Sequence, residues 1–324
     1  MIELPIELLA LPPLALAAGL DLYLTLLFIG AAPTTGLWAL PLPGALGDLD
    51  PPSVLITVGA FYLAEFAAER FPPAALVWNA FHAIIRPVSG ALLALLLLDG
   101  QPVPMLLVGA VLAGALASLA HGARSGAWAI RVLRGTDSPS PLLLSVAEDV
   151  VVLGAVALAL DRPSWAFVAS LAVLAALAPA TPFLLRAFAY SIRLGVARAF
   201  RTLGRRRWRR SDELPARVRD ALHDNDEALA HGAALRGCPV GAWRLDGAPL
   251  FAVGWLVVHG TRAAFVLESR RRSRRIDLEG YQATSVTDLD LFRRIEFADR
   301  PRSFVIVGAN GPSTEGLSAE FLGE

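Results

Sequence analysis

Residues 74–98 read AALVWNAFHAIIRPVSGALLALLLL, a run whose only fixed charge is Arg86. A helix needs roughly 20 apolar residues to cross a hydrocarbon core, and this run is long enough. Five runs of the same kind flank it, which places candidate spans at about 8–31, 53–70, 74–98, 103–121, 141–160 and 164–189. The connectors at 33–52, 99–102, 136–139 and 161–163 are rich in Pro, Gly and Asp. Backbone groups left unpaired are tolerated in water and not in lipid, so such breakers mark interfaces. The fold class read from this pattern is an all-α polytopic membrane bundle of about six transmembrane helices over 1–189. An Arg-rich juxtamembrane helix or linker follows at 190–211, then a small α+β, mainly antiparallel β, cytoplasmic domain at 212–324.

Composition agrees with an uneven chain. Of 324 residues, 55% are hydrophobic, and the formal net charge of zero sums over unlike parts. Residues 1–185 carry six Arg, whereas 186–210 carry nine and no acid. Lys is absent, so every fixed cation is Arg. The single Cys238 excludes an intramolecular disulfide and a cysteine-based zinc cluster. The start of the chain lacks a basic n-region and Asp21 interrupts its apolar run, so it reads as a retained helix.

Orientation follows from arginine. The connectors after the first, third and fifth spans hold Arg162 with Asp48, Asp50, Asp99 and Asp161. The ends of the second and fourth hold Arg70, Arg124, Arg131 and Arg134, and the sixth runs into the nine-Arg stretch. Basic segments stay on the cytoplasmic side. The expectation is a multi-pass protein of the plasma membrane with both termini cytoplasmic.

Two spans are irregular. His82, Arg86 and Pro87 near the middle of the third predict a break into two half-helices. The fourth runs on into His121-Gly-Ala-Arg124, giving one long helix or a bent one. Small residues Gly109, Ala113, Gly114 and Ala117 on that span read as close helix packing.

Ionisable groups inside spans cost roughly 2.5–3.5 kcal/mol each on insertion scales, so those retained call for a role. The candidates are Glu65, His82, Arg86, His121, Arg124, Glu148 and Asp149. Glu65 and Glu69 are four apart, as are His82 and Arg86, while His121 and Arg124 are three apart, so each pair shares a helix face. The pattern predicts one polar cluster, with carboxylates of spans two and five facing Arg and His of spans three and four. The plainer alternative is a set of interhelical salt bridges that fixes packing. That alternative is preferred for Glu69, Arg70, Arg131 and Arg134 near helix ends, where side chains reach the interface. Asp21 is a lone acid deep in span one whose partner the sequence does not identify; a pairing with Arg86 is one alternative. No metal or cofactor is expected, since neither His-x-x-x-His nor His-Glu-x-x-His spacing occurs. Ser145, one turn before Glu148, reads as a helix cap more readily than as a nucleophile.

These residues, taken in order, carry a resemblance. Glu65-Phe-Ala-Ala-Glu-Arg-Phe-Pro-Pro, Trp78-Asn-Ala-Phe-His-Ala-Ile-Ile-Arg-Pro-Val-Ser-Gly90, His121-Gly-Ala-Arg and Ser145-Val-Ala-Glu-Asp149 resemble the bacterial membrane proteins grouped as domain of unknown function 4126. The likeness covers about residues 10–185. It implies that the cluster is the region of interest and implies no activity.

Beyond the spans, Arg205, Arg206, Arg207, Arg209 and Arg210 close an amphipathic helical stretch over 184–210. Arginines beside a span are attracted to anionic lipid by about 1 kcal/mol each, so phospholipid headgroups and the bilayer are the expected partners and nucleic acid is not. From 212 to about 236 the pattern is helical, with a break near Asp224-Asn225. Short strands then follow at 250–258, 263–268, 274–278, 282–288, 292–297 and 303–307, with a helix near 314–322. His259-Gly260-Thr261 reads as a hairpin turn, and this set is similar to a small bacterial pleckstrin-homology-like domain. Arg270 to Arg275 would form a basic hairpin tip that contacts headgroups or lies solvated. The leading functional expectation is a transporter or permease-like bundle, possible as a homo-oligomer, rather than an enzyme. The alternatives are a membrane-embedded enzyme acting on an anionic lipid-type substrate and a scaffold that anchors the cytoplasmic domain.

Overall fold

Asp21 breaks the first apolar run. Helix α1 (Ile6–Leu20) ends there, Asp21 adopts an extended backbone, and its side chain accepts the Leu24 N–H to start α2 (Leu22–Thr34). A side-chain acceptor at an N-cap competes with continuation of the preceding helix, so the expected single span at 8–31 is two shorter helices. The computed structural model describes residues 5–36, 42–134, 141–199, 208–223, 235–259, 262–268, 273–278, 282–289, 292–298, 303–308 and 311–322. The chain divides into two units, Met1–Phe188 and Ala189–Glu324.

The first unit is helical. After α2 come α3 (Pro52–Ala68), α4 (Pro72–Leu97), α5 (Val103–Arg134), α6 (Pro141–Asp161), α7 (Pro163–Leu177) and α8 (Thr181–Ala199), whose end lies in the second unit. Three helices are long and apolar enough to cross a membrane, Pro73–Leu97, Val103–Arg134 and Leu143–Asp161, and a fourth crossing is reached if α7 and the bent continuation of α8 count as one. Helix α1 is apolar around its circumference and lies among α4, α5, α6 and α7, burying Leu11, Leu14, Ala15 and Ala18.

Two expectations about breaks are corrected. Helix α4 continues through Pro87, so the predicted pair of half-helices does not form. Proline removes one i→i−4 bond, but Gly90 lets α4 lie against Ala113 and Ala117 of α5, and that contact holds the axis. The sixth run breaks instead: α7 and α8 meet at 76°, around Ala178, Pro179 and Ala180. The fourth run is a single 32-residue helix. Ser145 lies inside α6, beyond its first turn, and caps nothing.

The second unit holds α9 (Ala216–His223), an eight-stranded antiparallel sheet and α10 (Thr314–Phe321). Its strands are β1 (Arg209–Arg210), β2 (Arg236–Trp243), β3 (Phe251–His259), β4 (Arg262–Leu267), β5 (Arg274–Asp277), β6 (Ala283–Leu289), β7 (Phe292–Phe297) and β8 (Phe304–Gly308). They lie in the order β5-β4-β3-β2-β8-β7-β6, with β1 added beside β2. The core under the sheet includes Val240, Leu256, Phe265, Ile295, Val305 and Leu317.

The six strands read from the sequence are present, while β2, at the centre of the sheet, is a strand that the sequence reading does not contain. Its sequence, RGCPVGAW, contains two Gly and one Pro, residues depleted in central strands. Pro239 is accommodated because β1 pairs with Arg236 and Gly237, and β8 pairs only from Val240 onward. The missing N–H thus falls where the neighbour on that side changes. Arg209 and Arg210 are β1 residues and not the end of a helix, and the Arg209 guanidinium lies 5.1 Å from the Trp255 ring centroid. Arg205, Arg206, Arg207, the break near Asp224-Asn225, the tip at Arg270–Arg272 and the turn at Gly260-Thr261 lie outside the described residues.

Candidate functional site

Glu65 sits on the last turn of α3, Arg86 in the middle of α4, Arg124 in α5 and Glu148 in α6. Four separate helices therefore deliver two bases and two acids to one place. Arg86 is fully buried and Glu65 is 2% exposed. One terminal nitrogen of Arg86 donates to the Glu65 carboxylate. The other donates to the Gly19 carbonyl at 2.5 Å and to the Leu20 carbonyl. Those two carbonyls lie at the end of α1, where the break at Asp21 has removed donors that a continuous helix would supply. Arg86 therefore supplies the break with hydrogen-bond donors as well as binding Glu65.

Arg124 joins three carboxylates. Its Nε donates to Glu148, one terminal nitrogen to Glu69 at 2.5 Å, and the other to Glu65 at 3.3 Å. Glu65 Oε1 is thereby shared by both arginines, and Oε2 has no hydrogen-bond partner among the described residues. A buried charge pair of this kind is costly to break, since removal of one member leaves the other desolvated and unpaired.

The remaining candidates lie beside this core. His82 Nδ1 is 2.8 Å from the Trp78 carbonyl, which requires Nδ1–H to donate and leaves Nε2 to accept the Tyr23 hydroxyl at 2.9 Å. His121 Nε2 donates to the Asn79 carbonyl at 3.1 Å, while Ser125 lies 3.5 Å from Nδ1. Neither imidazole touches a carboxylate. Asp149 accepts the Tyr62 hydroxyl at 2.8 Å and stands apart from the arginines. Among the described residues Asp21 makes no ion pair with Arg86, the pairing left open by the sequence; its side chain caps α2.

The structure thus brings together Glu65, Arg86, Arg124 and Glu148 and adds Glu69, which the sequence assigned to packing near a helix end. Its four-residue spacing from Glu65 was the available signal. Tyr23, Tyr62 and Asn79 were missed, because a lone Tyr or Asn in an apolar helix gives no spacing pattern. Among the described residues, no three of His, Cys, Asp and Glu are grouped as metal ligands would be.

A cavity of about 590 Å³ in the first unit reaches this cluster, and Glu69, Asn79, Arg124, Ser125, Ser145 and Glu148 form part of its otherwise largely apolar wall. The arrangement can hold a polar group against Arg124 and its carboxylates while an apolar body lies along the helices.

Residues 8–181 match the family described as Domain of unknown function (DUF4126). No curated protein matches the chain. Two solved structures show a faint likeness. One is the crystal structure of N-terminally truncated linker-DH/PH domains of p115-RhoGEF, at 10% identity and a TM-score of 0.19, covering 94% of this chain and 93% of that one. The other is a mutant of the DH/PH domains of the same protein, at 9% identity, a TM-score of 0.19 and the same coverage.

Proposed function

The chain belongs to the family described as domain of unknown function DUF4126, and from the geometry of its own residues we propose a multi-pass plasma-membrane protein that carries a small solute or lipid across the bilayer. The observation that carries this reading is the buried network of Arg86, Glu65, Arg124, Glu69 and Glu148 inside a helical unit with an apolar exterior. Ile56, Ile84 and Val111 are each 72% exposed, and Phe81, Leu107 and Val168 are also on the surface. Such a face is unsuited to water and suited to lipid. Ionisable groups retained within a bilayer mark substrate or ion paths, and interrupted helices with open carbonyls form the sites of many carriers.

In this reading α1–α2, α3, α4, α5, α6 and α7–α8 make six crossings, with both termini cytoplasmic. Exchange of Arg86 or Arg124 between carboxylate partners opens the cavity to alternate sides. The basic stretch that includes Arg205 to Arg207 lies on anionic headgroups of the cytoplasmic leaflet.

The test uses Cys238→Ser as background, with single cysteines at Ala123 and Ala147, both cavity-lining and outside the ionic network. An impermeant thiol reagent is applied to right-side-out and inside-out vesicles. Labelling of either position from both faces supports a carrier. Labelling from one face only, or from neither, overturns it. A one-sided result favours the second reading, an enzyme on an anionic lipid-type substrate, for which Ser145 and Glu148 one turn apart on the cavity wall are the specific observation.

A further inference from the structure

The charges on the cavity wall do not all cancel. Glu69 and Glu148, the carboxylates that line it, are both bound by Arg124. Arg70 and Arg131 also line the cavity, and neither has a carboxylate partner among the described residues. Arg70 donates to the Phe66 carbonyl at 2.7 Å and lies 3.6 Å from the centre of the Phe66 ring. Arg131 is half-buried and makes no hydrogen bond or ion pair with the described residues. Asn79, 4% exposed, lines the same space with an Oδ1 that has no partner. Val151, Val173 and Leu174 give the lining an apolar part.

The half-buried Arg131 guanidinium, set against apolar walls without a counter-ion, is costly, and an anion placed on it offsets that cost, while the exposed Arg70 adds a second positive charge at the edge. A bare anion would leave the apolar wall unfilled, whereas a ligand with a chain would fill it. The volume of about 590 Å³ falls within the range of roughly 300–1,000 Å³ typical of small-molecule sites. A cationic ligand finds no vacant counter-charge here, since both lining carboxylates already hold Arg124.

We infer that this cavity binds an anionic amphiphile, with a phosphate or carboxylate head on Arg131 and Arg70 and an apolar chain along Val151, Val173 and Leu174. Asn79 accepts a hydroxyl of the headgroup. The inference rests on the membrane placement proposed above and names the class of cargo or substrate; it does not require that the ligand be moved.

The experiment is native mass spectrometry of the full chain purified in detergent, with phosphatidylglycerol, phosphatidylcholine, palmitate or inorganic phosphate added. Retention of phosphatidylglycerol or palmitate above phosphatidylcholine and free phosphate is expected. The first would make the bilayer the source, the second a free fatty acid. Arg131→Gln should weaken retention about tenfold, the loss of one charge-assisted contact. Arg162→Gln, at an exposed connector, should leave it unchanged. Leu174→Trp, which fills the cavity, should remove binding while the protein stays monodisperse, and it carries the test if Arg131→Gln fails to fold. Equal retention of phosphatidylcholine and phosphatidylglycerol, or undiminished binding in both variants, would overturn the inference. Lipid retention by a protein whose Ala123 and Ala147 positions label from one face sinks the carrier reading alone, and labelling from both faces without selective retention sinks this one alone.

Discussion

At the scale of single residues, burial decides what each polar group can do. Arg86 is enclosed completely and its bonds run to Glu65, Gly19 and Leu20. Arg86→Gln leaves Glu65 with only the longer contact to Arg124, so a loss of about 3–5 kcal/mol of stability is expected. Thermal unfolding in detergent measures it. The double variant Glu65→Gln/Arg86→Gln should lose less than the two single losses combined, because neither partner is left alone with its charge; strict additivity would show that the pair is not coupled. Cys238 behaves differently. It is enclosed in the sheet, and burial pushes its thiol well above the ordinary 9.0, against smaller opposing effects from Arg209 and Arg293. A folded-state value raised in this way makes the contribution to stability complete below about pH 8.5 and progressively lost as pH rises through the folded value. Cys238→Ala should therefore flatten the decline in stability between pH 8.5 and 10.5, measured by denaturant unfolding at a series of pH values. An unchanged decline would mean that the thiol stays neutral on unfolding or is already exposed.

At the scale of elements, close approach between helices sets what substitutions are tolerated. A Cβ on Gly90 of α4 would stand 2.7 Å from the Ala117 Cβ, and one on Gly19 of α1 would stand 2.7 Å from the Ala120 Cβ, both on α5. Gly90→Val should cost about 1–3 kcal/mol by overpacking, while Pro87→Ala one turn earlier should cost less than about 1 kcal/mol or stabilise, since it restores a helix bond without altering the axis. Thermal unfolding of the two variants, side by side, checks this; a larger loss for Pro87→Ala would restore the idea of a functional break there. The contrast also shows what the sequence could and could not tell. The small residues of α5 announced tight packing, and Glu65, Arg86 and Arg124 announced a cluster by their i, i+4 and i, i+3 partners, with Glu148 an acid inside an apolar run. Proline near the middle of α4 was a misleading signal because its effect depends on the neighbouring helix. The break at Asp21 was hidden in the opposite way: a lone acid to which the sequence assigned no definite partner is a helix cap. In the second unit, turn chemistry located six strands, while the central strand β2 was concealed by Gly237, Pro239 and Gly241, whose places are set by changes of neighbour along the strand.

At the scale of the whole chain, the distribution of arginine gives the proposed bundle an orientation to test. Six Arg lie in residues 1–185, and the stretch 186–210 adds nine, adjoining the sixth crossing of the proposed bundle. Moving that stretch through a bilayer would be opposed by every one of its charges, so the proposed bundle keeps the segment after α8 in the cytoplasm. With six crossings the connector at Asp99 to Pro102 must then face outward, and the second unit inward. A cysteine at Gln101, in the Cys238→Ser background, should label with an impermeant reagent in intact cells, and an epitope fused after Glu324 should be digested by protease only in inside-out vesicles. Loss of any one of the three crossings between them, α5, α6 or α7–α8, would put the two markers on the same face. If α1–α2 did not cross, the Gln101 marker would keep its outward face, because α5, α6 and α7–α8 still separate it from an inward second unit. The N-terminus would then have to lie outside, and an epitope placed before Ile6 should be accessible in intact cells. The three markers together distinguish a bent first crossing from a helix pair held within one leaflet, and they do so without knowledge of what the protein carries.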